Sequence, residues 1–283
     1  MATEQQLSRE LKDSIDTLER NADRIEREFR QVLKSYFRDV QSASRALIRA
    51  DYASVVELQL ELDAMLQDSG YEDLIESYIE VMAELEEEGT RYFQLFGVRP
   101  RLDPENAEAL DLMLEYHERN LRELTDQRIV KPLRNAVLLA NISERSGRDG
   151  QELIRAEIDR YRITTRSGEE FTDAQIDTLM RDGMVQYTRT VNNQVAESVG
   201  FRIYQYVGPF DNVTRDACRK MLTVNRHGVP GMLYVEEIIA LKSELNLPFD
   251  PLVGGGGWNC RHEWIAVSDE YAEAQGFQLD GRA

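Results

Sequence analysis

The chain has 283 residues, 42% of them hydrophobic, and carries 52 Asp and Glu against 34 Lys and Arg, a formal net charge of −18. This composition disfavours a disordered chain, and the length suggests two folded units. The charge opposes a purely electrostatic grip on nucleic acid or an anionic membrane; no apolar run reaches the ~18 residues of a bilayer span, and MATEQQLSRELKDS lacks the apolar core of a signal peptide, so a cytosolic product with no membrane partner is expected.

From about residue 4 to 49, Leu7, Leu11, Ile15, Leu18, Ala22, Ile25, Phe29, Leu33, Phe37 and Val40 recur at threes and fours, the spacing of one helical face. The spacing predicts a long amphipathic helix that packs along a partner, either within a bundle or in another copy of the chain. Residues 51–90 hold thirteen acidic residues and no Lys or Arg and continue the helical pattern. Their acidic face is read as solvated, or as a docking surface for a basic partner. Gly97 and Pro100 end that pattern, and Asp103 followed by Pro104 is the N-cap and first-turn pair of the next helix. That helix carries His117 on an apolar stripe with Leu110, Leu114, Leu121 and Leu124, which predicts a buried, hydrogen-bonded histidine without a catalytic role.

A turn-rich junction around SERSGRDG precedes a helix at about 151–160, then a loop, ITTRSGEEF. Thr172 or Asp173 caps a helix that runs to about residue 198 and ends at Gly200. Beyond residue 200 the texture changes, and FRIYQYVG alternates as a strand does. The reading is a mainly α protein: long N-terminal amphipathic helices in a bundle over 1–129, then a smaller α+β C-terminal part over 130–283, helical over 130–198 and mixed over 200–283.

The unusual chemistry lies in GGGGWNCRHEW, residues 254–264. A phosphate loop would need a strand before the glycines, a helix after them and a lysine, and none is present. The glycines instead suggest a tight turn that delivers Cys260 and His262 to one face of a strand. With Cys218 in DNVTRDACRK they form a partial zinc shell, for which His227, Asp211 or Asp216 would be the fourth ligand. Packed thiols beside a hydrogen-bonded histidine, a Cys218–Cys260 disulfide, and a cysteine nucleophile with His227 or His262 as its base stand as alternatives.

YQYVGPFDNVTRDACRKML followed by GGGGWNCRHEW resembles the Mu F-like head morphogenesis, or minor head, proteins of tailed bacteriophages. The resemblance covers roughly the C-terminal half and falls on Asp211, Thr214, Arg215, Cys218, Gly256, Gly257, Asn259, Cys260, Arg261 and His262. His227 matches no position of the motif, and residues 1–129 lie outside it. Where many members carry Cys-Arg-Cys this chain carries Cys-Arg-His, an exchange that a zinc ligand tolerates and a disulfide does not. The resemblance implies a non-enzymatic structural protein, assembled in the host cytoplasm and then held inside the virion head near the portal vertex. Portal or major capsid protein would be its partner in capsid assembly or genome delivery; self-association through the N-terminal helices and contact with genomic DNA are left open. A cysteine- or zinc-dependent hydrolase of head maturation and an acidic helical adaptor are the alternative functions.

Overall fold

Forty-three residues without an internal glycine or proline form α1, Glu4–Ala46. Its apolar stripe is buried at Ala22, Ile25, Phe29, Leu33, Phe37 and Val40, as the spacing predicts. The computed structural model describes residues 4–46, 52–100, 102–142 and 148–280. Positions 47–49, expected at the end of the first helix, and 143–147 of the turn-rich junction lie outside the described residues.

The acidic segment forms two helices, α2 (Tyr52–Asp68) and α3 (Tyr71–Gln94). They are separated at Ser69 and Gly70, where Gly70 takes φ +90, a value that side chains other than glycine's resist. Part of the acidic face is neutralised inside the chain: Arg134 pairs with Asp63 at 2.8 Å and Arg122 with Glu72 at 2.7 Å. Next, α4 (Pro104–Thr125) starts on the side chain of Asp103, whose carboxylate accepts from the Asn106 N–H at 2.8 Å. A π-helical turn, Asp126–Val130, joins it to α5, Lys131–Ile142. His117 is buried as expected, but neither ring nitrogen has a hydrogen-bond partner among the described residues. An apolar stripe supplies no donor or acceptor, and burial accordingly lowers its pKa.

After α6 (Arg148–Asp159) the stretch expected as a loop is a β-hairpin, β1 (Arg162–Thr165) against β2 (Gly168–Phe171), with Arg162 opposite Phe171. Its strands are four residues each and largely exposed, too short and too polar for alternation to show. Asp173 then caps α7 (Ala174–Ser198), accepting from the Gln175 and Ile176 N–H groups. Gly200, at φ +77, ends it.

The remaining elements are β3 (Ile203–Val207), α8 (Asp216–Thr223), β4 (Met232–Tyr234), α9 (Val235–Glu244), the single turn α10 (Pro251–Gly254), β5 (Glu263–Val267) and α11 (Asp269–Ala274). The sheet is antiparallel in the order β4-β3-β5, with Ile203 opposite both Tyr234 and Val267. On one side Ile203, Met232, Tyr234, Val267, Ala272 and Phe277 form a buried cluster. The protein is thus mainly helical, with long N-terminal helices and a small antiparallel sheet near the C-terminus.

Two compact units divide the chain. One comprises Met1–Arg20, Val81–Leu114 and Arg181–Ala283, the other Asn21–Glu80 and Glu115–Met180. The first contains the sheet and all of the motif residues. No helix among the described residues is long and apolar enough to cross a membrane.

Candidate metal centre

Two segments of the first unit bring three donor side chains to one point. Cys218 projects from α8, while Cys260 and His262 come from the stretch between the glycine turn and β5, just before the strand rather than on it. All three are buried, at 2%, 6% and 3% exposure. The Cys218 and Cys260 sulfurs are 3.7 Å apart and Cys260 Sγ is 3.8 Å from His262 Nδ1; the three donor atoms all lie within 4.8 Å of one another.

The 3.7 and 3.8 Å separations are close to those around a shared metal ion. Two thiolates at about 2.3 Å from a tetrahedral zinc are about 3.8 Å apart, and a thiolate and an imidazole nitrogen about 3.6 Å. Both cysteines are free, and their separation is well beyond the about 2 Å of a disulfide. His262 Nε2 donates to the Pro209 carbonyl at 2.7 Å. That bond leaves Nδ1 as the unprotonated nitrogen facing the sulfur, the arrangement in which a backbone carbonyl orients a metal-binding histidine. The group can therefore hold a metal ion.

The surrounding backbone is shaped to the group. A Cβ on Gly256 would lie 2.1 Å from Cys218 Sγ and 3.0 Å from Cys260 Sγ, and one on Gly208 would lie 2.4 Å from the His262 ring. The Gly256 N–H donates to Cys260 Sγ at 3.0 Å. Donating to Cys260 is the chief cause that raises the Cys218 pKa; accepting that bond is the chief cause that lowers the Cys260 pKa, helped by the charge of Arg189 against the opposing effect of burial.

The motif residues frame this group. Arg215 donates to the carbonyls of Gly256, at 2.9 Å, and Trp258, tying the start of α8 to the glycine turn. Asp211 accepts from Arg261 at 2.7 Å, and that bond is the chief reason its pKa is lowered to about 2. The Thr214 hydroxyl lies within hydrogen-bond reach of Pro209 O, at 2.9 Å, and Asp211 Oδ1, at 3.0 Å, closing the loop that positions the His262 acceptor. Asn259 stands at φ 56, and its N–H donates to Asp182 at 2.7 Å. No protein-family model, curated protein or solved structure matches the chain.

His227 is not part of the group. Its Nε2 is 2.9 Å from Glu237 Oε2, and its ring packs against Tyr234 and Phe277 beside the sheet. The glutamate is the N3 residue of α9, whose carboxylate also caps the Tyr234 N–H, so His227 serves a helix start. Asp211 is engaged by Arg261 and Asp216 is exposed; neither joins the three donors.

Three contributors escaped sequence reasoning. Arg189 of α7, buried at 4% exposure, donates to the carbonyls of Val253, Cys260 and His262, holding the ligand-bearing segment from behind. Asp182 lies seven residues earlier, two turns along the same face; that face also carries Gln186 and Asn193, so nothing in the pattern set the pair apart as buried. Tyr206 of β3 stacks on His262 with ring centroids 5.5 Å apart, and its hydroxyl is 3.9 Å from Cys260 Sγ. Nothing in the alternation of β3 distinguishes it from Tyr204.

Proposed function

We propose that the chain is a non-enzymatic phage head assembly protein of the Mu F-like minor head type, and that a structural zinc held by Cys218, Cys260 and His262 organises its C-terminal part. One observation supports this above all. The two halves of the motif, DNVTRDAC and GGGGWNCRH, are separated by about thirty-five intervening residues and meet as one folded object. Cys218, Cys260 and His262 point donors at the common centre, and the side chains of Asp211, Thr214, Arg215 and Arg261 brace the segments that carry them. A motif of this kind is a folding signature, and it carries the resemblance on which the virion role rests.

Zinc fits the donor set better than harder cations do, because two thiolates and an imidazole are soft to borderline ligands. The partner in this reading is portal or major capsid protein. The test is whether the chain co-purifies with procapsids or virions and binds portal protein directly; absence from both particles would refute the head role. The hydrolase reading has the 3.8 Å approach of Cys260 to His262 in its favour. Under it, Cys260→Ala abolishes a hydrolytic activity and leaves the melting temperature nearly unchanged, whereas under the structural-zinc reading the same variant unfolds at lower temperature.

A further inference from the structure

Tetrahedral zinc takes four ligands, and sites fully closed by protein ligands differ in kind from those that leave one position to an outside group. Among the described residues only three donors converge here. Of the candidate fourth ligands, His227 is engaged on Glu237 and Asp211 on Arg261, Asp216 is exposed, and the nearby Asp182 accepts from the Asn259 N–H; none is among the converging donors. In place of a fourth side chain there is a cavity of about 210 Å³ that touches all three donor residues and is bounded also by Arg215, Asn259 and Arg261. Those three are exposed, so the cavity leads from the buried donors to the surface.

The rim has a sign. Arg215 makes its hydrogen bonds to carbonyl oxygens, and no carboxylate is in ion-pair contact with it among the described residues. Arg261 shares its charge with Asp211. In a chain with a formal net charge of −18, two guanidinium groups stand at the mouth of one small cavity, one of them paired with Asp211. Guanidinium groups favour planar anionic oxygens, which they bind through paired N–H donors.

We propose that the fourth ligand of the metal comes from outside the chain, as a carboxylate drawn into this cavity between Arg215 and Arg261. The inference rests on the metal reading given above and adds the chemistry of what docks there: an acidic side chain or a chain terminus of a partner protein. A carboxylate is an anion that both a guanidinium and an open zinc position accept.

Cobalt(II) exchanged into the purified full chain tests this, because its visible ligand-field bands report the coordination sphere. Acetate serves as the probe, with inorganic phosphate titrated in parallel. A saturable acetate-dependent change in the bands is expected, weakened roughly tenfold by Arg261→Gln, which removes a rim charge. Asp211→Asn retains the Oδ1 acceptor, leaves Arg261 uncompensated, and is expected to tighten acetate binding. Cobalt bands that ignore acetate would overturn the outside ligand while leaving the metal site standing. A response to phosphate alone would overturn the carboxylate, and an acetate response indifferent to both variants would overturn the role of the rim. Absence of any cobalt bands would overturn the metal reading itself.

Discussion

Gly256→Ala is the most direct test of the centre's construction, because the glycine's φ is outside the left-handed region and the substitution adds only a methyl group. That methyl would stand 2.1 Å from Cys218 Sγ and 3.0 Å from Cys260 Sγ, against a non-bonded contact of about 3.5 Å or more. Cys218 would have to retreat by roughly 1.5 Å, well past the ~0.2 Å within which a metal site holds its distances. Overpacking of this kind costs about 1–3 kcal/mol; with two buried sulfurs in the way we take the upper end, about 3 kcal/mol. The lower unfolded-state entropy of alanine offsets about 0.4–1 kcal/mol of it. The net of about 2 kcal/mol corresponds to a fall in Tm of roughly 4–8 °C, together with loss of bound metal. The assay is a thermal melt beside a chelator competition, with Gly276→Ala as the comparison. Gly276 stands at φ +92 with nothing within 4 Å of an added Cβ, so it is expected to show only backbone strain of about 1 kcal/mol and unchanged metal content. A Gly256→Ala protein that binds metal and melts like the wild type would refute the tight approach of this turn to the two sulfurs.

Cys218→Ser and His262→Gln are each expected to abolish stoichiometric zinc by elemental analysis, whereas His227→Gln is expected to retain it. Arg189→Met leaves the carbonyls of Val253, Cys260 and His262 without their donor and should lower stability in urea by about 3 kcal/mol; a loss below the error of the measurement would discount Arg189 as a brace. For His117 the sign follows from its lowered pKa: the unfolded state takes up the proton first, so the wild type loses stability as pH falls below about 6.5. His117→Leu removes both unpartnered nitrogens, should stabilise the protein by about 1–2 kcal/mol at neutral pH, and should flatten that pH dependence when melts are compared from pH 7 downward.

Much of the helical architecture was legible because it rests on local signals. The spacing of Ile25, Phe29, Leu33 and Phe37, the cap at Asp103 and Pro104, and the stop at Gly200 each act within a few residues. The convergence of Cys218, Cys260 and His262 was legible only as a short list of chemistry-bearing residues, since their meeting depends on how α8 and β5 are placed. His227 shows the limit of such lists. It has the right side chain near the right motif, yet the glutamate at the start of α9 claims it. Arg189 and Asp182 were hidden for the opposite reason: charged residues on a helix are ordinarily solvated, and only their burial behind the glycine turn gives them a role. The β1–β2 hairpin was missed because Thr165–Gly168 is a turn between strands too short to reveal a period.

The ligands that meet at the centre are forty-two residues apart in the chain. A metal ion bridging them would act as a reversible crosslink on the loop that carries β4, α9 and α10. The entropy of closing such a loop grows only with the logarithm of its length, so doubling it costs about 0.6 kcal/mol. Insertions at Asn246–Leu247, ahead of Phe249, whose ring packs on the glycine turn, and of Asp250, which caps α10, should therefore leave the centre nearly untouched. The centre constrains its connector in endpoints and scarcely in length, which would let that connector diverge into new contact surfaces while the two ends stay fixed.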